Sequence, residues 1–203
     1  MDRNITPLFS TPLYSTVLEY IPEKENLMNV NFHRGGYNNA FLSVDKNILD
    51  KFEQLQVIIQ EEINNYLDVL LVKKHIDFKV NNSWVVKHIK GDWSQTHIHS
   101  NSVISGVLYL KVNENSGDII FRKQIHDSGV FSVQLDIEYS DQNIFNMREY
   151  KITPIENQLI LFPSTLPHDV TMNMSDEDRY VLAFNCSPIG KIGSDRELNT
   201  LFL

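Results

Sequence analysis

The sequence predicts a mostly β chain of the α+β type, a jelly roll backed by one N-terminal amphipathic helix. Three observations lead there. Apolar residues Ile48, Phe52, Leu55, Ile59, Ile63, Tyr66, Leu67, Leu70 and Leu71 recur at threes and fours from about Ser43 to Val72, the period of a helix with one buried face. From Phe78 onward the chain breaks into about eight short apolar or alternating runs separated by turn residues. No second helical pattern falls between those runs, so nothing supplies the crossovers of a parallel sheet, and a sandwich or jelly roll is left.

The elements follow in order. Leu8 to about Tyr20 reads as extended, and prolines at 7, 12 and 22 assign it to an edge strand or an arm along the body. A polar stretch around Gly35–Asn39 precedes the helix. Asp45 and Asp50 lie near the positive end of the helix dipole, and Lys73 and Lys74 follow its negative end. Strands are expected over Phe78–Ile89, His97–His99, Ser105–Val112, Asp118–Phe121, Phe131–Tyr139, Tyr150–Thr153, Gln158–Phe162, His168–Met172 and Arg179–Cys186. Gly91-Asp92 and Asn113–Gly117 supply turns. With 203 residues and no linker or internal repeat, the chain reads as one domain: an arm and helical support over 1–77, the jelly-roll core over 78–187, and a tail over 188–203.

Composition excludes several function classes. A formal charge of −8 and a pI near 5.3 disfavour a nucleic-acid surface, which needs a basic face to meet phosphates. One cysteine, Cys186, excludes a disulfide framework and a multi-cysteine zinc site, and fits a reducing cytoplasm. The N-terminus lacks a signal-peptide core and no window approaches a membrane span, so the expected location is cytoplasmic, in a host cell if the gene is a phage's.

Seven histidines are present, and three sit where strands should converge: His97, His99 and His168. His97 and His99, one residue apart in a strand, would face the same way, about 6.5–7 Å apart at Cβ. Two imidazole nitrogens at that spacing can each reach about 2.0–2.1 Å from one cation. His168 opens a later strand after the buried run Leu159–Phe162 and a Pro163-Ser164 turn. Arg179 heads the last apolar strand and should meet an anion there, or else pair at an edge with Asp176, Glu177 or Asp178.

The ordered set of Trp84, Gly91-Asp92, His97-x-His99, Ser105–Leu110, Gly117, Leu161–Ser164, His168, Arg179 and Phe184-Asn185 resembles the 2-oxoglutarate/Fe(II) dioxygenases of bacteria and phages. These are similar to the prolyl-hydroxylase-like branch of the double-stranded β-helix oxygenases. The opening Phe9–Pro12 resembles that family too. The resemblance implies a double-stranded β-helix, cupin-like barrel with His97, His99 and His168 as Fe(II) ligands and Arg179 gripping the distal carboxylate of 2-oxoglutarate. Tyr109, Asn82, Trp84 and Asn185 are placed to contact that cosubstrate. The implied reaction is hydroxylation of a small-molecule or peptidyl substrate by O2, with release of succinate and CO2.

Two departures stand out. The wider superfamily has Asp or Glu where this sequence has His99, so either three imidazoles form the face or a carboxylate such as Asp92 or Asp169 completes it. Asp169 is also a candidate to hold an imidazole N–H. The superfamily often places Ser or Thr two residues after the arginine, where Val181 stands here. The segment from Lys123 to Glu149, with His126, Asn143, Phe145, Asn146 and Arg148, reads as a rim loop facing substrate. Two rival readings are a cupin-like three-histidine metalloprotein that does not use 2-oxoglutarate and a non-catalytic binding protein on the same fold. A homo-oligomer stays open.

Overall fold

The computed structural model describes residues 4–35, 39–123, 137–193 and 200–203. In chain order the elements are β1 (Tyr14–Val17), α1 (Lys24–Met28), β2 (Phe32–Arg34), β3 (Phe41–Ser43), a 3-10 turn (Ile48–Lys51), α2 (Glu53–Val69), β4 (Asp77–His88), β5 (Ser94–His97), β6 (Ile104–Lys111) and β7 (Ile119–Arg122). They continue with β8 (Glu149–Ile152), β9 (Gln158–Pro163), β10 (His168–Val170), β11 (Arg179–Ile189), β12 (Lys191–Ile192) and β13 (Leu201–Phe202).

Two antiparallel sheets form the body, a major one in the order β1-β9-β6-β11-β4-β3-β2 and a minor one in the order β5-β10-β7-β8. The fold is thus mostly β, a double-stranded β-helix with helical backing on the major sheet. β1 is an edge strand, as its flanking prolines require.

Alternation along the long central strands divides the major sheet into two faces. Val85, Leu108, Leu182 and Phe184 turn one way and bury against Leu55, Ile59, Ile63, Tyr66 and Leu67 of α2. Each fully buried leucine or isoleucine there contributes about 1.5–3 kcal/mol. Gly106 lies opposite Phe184, whose ring occupies the space a side chain would need; a Cβ would meet Phe184 Cζ at 2.2 Å. Gly106→Ala should therefore cost about 1–3 kcal/mol through overpacking, read by calorimetry as a melting point about 2–12 °C lower.

The helix is shorter than its apolar spacing predicts. Residues from 43 to 52 do not join it: Ser43 ends β3, and Asp45 folds back to accept the Asn47 N–H at 2.9 Å and to pair with Lys51 at 2.6 Å. Phe52, at φ −126° and ψ 66°, breaks the helical path. Ile48 and Leu49 still reach the core through a 3-10 turn, whose three-residue period imitates a helical stripe. The helix dipole consequently begins at Glu53, not beside Asp45.

Short α1, β2 and β3 arise from the polar region where no element is expected, and β2 and β3 extend the major sheet beside β4. Other strands shift by one to three residues at their ends; β5 stops at His97, and β11 runs on to Ile189. The expected strand Phe131–Tyr139 lies mostly outside the described residues; Ile137–Tyr139 carry none. His126 also lies outside them. Of the expected rim loop, residues 141–147 form a turn in which the Asn143 N–H donates to Asn146 Oδ1 at 2.7 Å.

Candidate metal and cosubstrate site

The second face of the major sheet is the floor of a cavity, and strand register sets its composition. Across β4, β11 and β6 the rows read Asn82, Asn185 and Ser105; then Trp84, Ala183 and Val107; then Val86, Val181 and Tyr109. His88 lies opposite Arg179 in the last row. The minor sheet closes over this floor and brings the histidines with it. His168 of β10 is the cross-strand partner of His97 of β5, so two residues distant in sequence are adjacent by hydrogen-bond register.

His99 stands beyond the end of β5, unlike the in-strand position expected for it. Its backbone N–H donates to Ser164 O at 2.9 Å, which turns the ring back toward the other two. The three rings converge: each histidine offers a nitrogen, and the three lie within 4.8 Å of one another. His99 Nε2 and His168 Nε2 are 3.3 Å apart, with nearly parallel rings. Trp84 packs beside His99, ring centroids 5.9 Å apart.

Hydrogen bonds on the far side of two rings fix their tautomers. His97 Nδ1 donates to Gln95 O at 2.7 Å, and His168 Nδ1 donates to Leu166 O at 2.9 Å. Each Nε2 then carries a bare lone pair, the state a metal-binding imidazole needs. Burial first, and the close approach of the His97 ring second, push His168 down to about 3 and His99 down to about 4. Three neutral imidazoles fit a divalent cation of the Fe, Ni or Zn type.

Neither candidate carboxylate joins this cluster. Asp92 is held by Arg34 through two bonds of 2.7 and 2.9 Å and also accepts the Ile89 N–H. Asp169 accepts from Thr96 Oγ1 at 2.9 Å and pairs with Arg122. It supports no imidazole; backbone carbonyls do that instead, because β5 and β10 bring Gln95 O and Leu166 O within reach of the rings. Among the described residues the only grouped metal-ligating side chains are the three histidines.

Arg179 is 2% exposed and lines the same cavity. Its Nη1 donates to Gly117 O at 3.0 Å and its Nη2 to His88 Nδ1 at 3.0 Å, while Nε has no partner. Gly117, at φ 97°, makes this approach possible: a Cβ there would lie 2.4 Å from Thr171 O and 3.2 Å from Arg179 Nη1. The three acidic residues just before Arg179 are each taken by a lysine, Asp176 by Lys90, Glu177 by Lys111 and Asp178 by Lys87. Among the described residues no carboxylate pairs with Arg179, so the edge-pair alternative does not hold. Desolvation drives its pKa below the ordinary value, and the nearby Tyr109 and Asp118 offset that only in part.

Tyr109 is buried on the cavity wall, and burial raises its phenol to about 12, with Arg179 pulling the other way. Asn185 accepts from Ser105 Oγ at 2.8 Å, and Asn82 keeps a buried Oδ1 without a partner. Val181 contributes only an apolar wall beside Tyr109. The residue that sequence reasoning misses is His88, a lone histidine in no motif. Its signal was the even-numbered series Asn82, Trp84, Val86 and His88 along one strand, which shares a face.

The cavity thus brings together three imidazoles that could hold a metal ion and a buried guanidinium suited to an anion. The family model described as "Putative 2OG-Fe(II) oxygenase" matches residues 82–185, half of the chain, and the chain belongs to that family. It is therefore an enzyme whose cofactors are Fe(II) and 2-oxoglutarate. Solved structures share the fold at low identity. A prolyl-4-hydroxylase from Pseudomonas putida is 13% identical, with TM-score 0.56 over 87% of this chain and 93% of that one. HygX from Streptomyces hygroscopicus, solved with nickel and 2-oxoglutarate bound, is 9% identical, with TM-score 0.57 over 88% and 83%. An oxidoreductase of the 2OG-Fe(II) oxygenase family from Burkholderia pseudomallei is 11% identical, with TM-score 0.57 over 79% and 74%. No curated protein sequence matches the chain. Among the described residues no helix is long and apolar enough to cross a membrane.

Proposed function

We propose that the enzyme hydroxylates a small-molecule or peptidyl substrate, with Fe(II) held by His97, His99 and His168 and 2-oxoglutarate anchored by Arg179. The observation that carries this is the buried guanidinium which, among the described residues, has an unpartnered Nε and no paired carboxylate, in one cavity with three converging imidazoles. A carboxylate is the anion a planar guanidinium fork accepts best. When bound, iron and 2-oxoglutarate supply the oxidation, consuming O2 and releasing succinate and CO2.

The chain's own work is binding and orientation. Gln95 O and Leu166 O hold two imidazoles with Nε2 inward. Arg179 meets the distal carboxylate, and Tyr109 offers a hydroxyl in the row where Val181 cannot. Val86, Val181 and Ala183 form an apolar floor between the cation end and the guanidinium end. Trp84 packs beside His99 and bounds the cavity, whereas Asn82 and Asn185, one row further along the sheet, are not among its lining residues.

Arg179 also bears on the rival without 2-oxoglutarate. A three-histidine metalloprotein of that kind has no use for a desolvated cation in the same cavity, and its cost in stability would go unrecovered. Anaerobic addition of Fe(II) and 2-oxoglutarate should give a visible charge-transfer band in the intact protein and none in His168→Ala. A colourless intact protein that nonetheless binds stoichiometric metal would favour the rival.

A further inference from the structure

We infer that His88 is the positioning residue for Arg179: it fixes the guanidinium through a neutral acceptor and so leaves the positive charge for the ligand. The inference rests on Arg179 being the 2-oxoglutarate anchor. An arginine only donates, so the 3.0 Å contact between Arg179 Nη2 and His88 Nδ1 requires a bare lone pair on Nδ1. The proton of His88 is then on Nε2, which donates to Ser94 Oγ at 3.0 Å. Ser94 opens β5, the strand that ends in His97. One imidazole thus links the strand that carries a histidine of the cluster to the residue at the far end of the cavity.

The chemistry of the acceptor is what matters. A carboxylate at this position would orient Arg179 equally well but would neutralise it and compete with the incoming anion. Imidazole and the Gly117 carbonyl orient the two terminal nitrogens while consuming none of the charge. Burial, then the neighbouring charges of Arg179 and Arg34, push His88 down to about 2, which keeps it an acceptor at any working pH. Its backbone is pinned as well: Asn173 Nδ2 donates to His88 O at 2.9 Å and to Glu177 O at 3.0 Å, tying the end of β4 to the approach to Arg179.

His88→Asn and His88→Phe separate positioning from packing. Asparagine can place its Oδ1 where Nδ1 stands, whereas phenylalanine keeps the volume and offers no acceptor. Anaerobic titration of the Fe(II)-loaded proteins with 2-oxoglutarate should show binding at least tenfold weaker in His88→Phe and within about threefold of the parent in His88→Asn. Metal stoichiometry should be unchanged in both. Should His88→Phe not fold, His88→Gln replaces it, since its amide reaches toward Ser94 and vacates the Nδ1 position. Equal 2-oxoglutarate affinity in all three proteins, or equal weakening in Asn and Phe, would overturn the inference. Failure of the parent itself to bind 2-oxoglutarate would instead overturn the reading of Arg179 on which it rests.

Discussion

Arg179→Met should lose 2-oxoglutarate binding by a factor on the order of 10² to 10³ while leaving the melting temperature of the metal-free protein within about 5 °C of the parent. The two effects have one origin. Removing one member of a buried, hydrogen-bonded charge pair costs about 2–5 kcal/mol in binding, and here the other member is the ligand's carboxylate. In the free protein the same guanidinium is buried and, among the described residues, forms no salt bridge, with Asp118 only a more distant opposite charge. Replacing buried ions by apolar residues of similar volume is neutral or stabilising by about 1–4 kcal/mol. Against that stand two acceptors left without a donor, Gly117 O and His88 Nδ1, at about 1–3 kcal/mol each if both stay dry, so the two contributions roughly cancel. Calorimetry and an anaerobic 2-oxoglutarate titration on the same sample test both halves. A melting point lower by more than about 5 °C would mark Arg179 as a structural partner, not a stored charge.

Acid should destabilise the metal-free protein steeply, starting near pH 6.5. Burial is the first cause of the depressed values of His88, His99 and His168, about 2, 4 and 3 in the folded state, against about 6.5 in the unfolded chain. Between those limits the unfolded state binds more protons, so stability rises with pH. It is complete above about pH 7 and declines as pH falls through 6.5 toward the folded values. At pH 5.5 each histidine has cost about 1.4 kcal/mol, together about 4 kcal/mol of a typical 5–15. Urea unfolding at a series of pH values measures the slope, and His88→Asn should lower it by about one proton. Bound metal keeps His99 and His168 unprotonated in the folded state, so it should raise the whole curve without flattening it between pH 5 and 7. A flat curve between pH 7 and 5 in the metal-free protein would contradict the buried, neutral state of these rings.

Much of the candidate site, as a group of side chains that converge on one cavity, was legible because its residues carry distinctive chemistry at distinctive places. The His97-x-His99 pair, His168 after a Pro-Ser turn and Arg179 heading an apolar strand stand out in combination, none of them being specific alone. The long alternating strands β4 and β11 were legible for the same reason that they succeed as strands, sustained period-two burial. What stayed hidden depends on register between distant strands. His88 becomes meaningful only when β4 pairs with β11 and puts it opposite Arg179. Asp92 and Asp169 read as free carboxylates until Arg34 and Arg122 arrive from other strands. The helix start was misjudged because a 3-10 turn and a helix both bury residues at spacing three to four. Strands of three residues such as β2 and β3 are too short to show any period.

The direct pairing of His168 with His97 has a consequence for how the molecule holds together. β5 and β10 have only four and three residues, few ladder bonds for a sheet that must roof a cavity. His99 and His168 are 69 positions apart, yet they meet at this seam. A cation shared there would act as a rivet, closing a long loop that the unfolded chain otherwise closes at an entropic cost. The roof would then be the part of the fold that loosens first when the metal is withdrawn, and hydrogen exchange in β5 and β10 would report it before the helix-backed sheet changes at all.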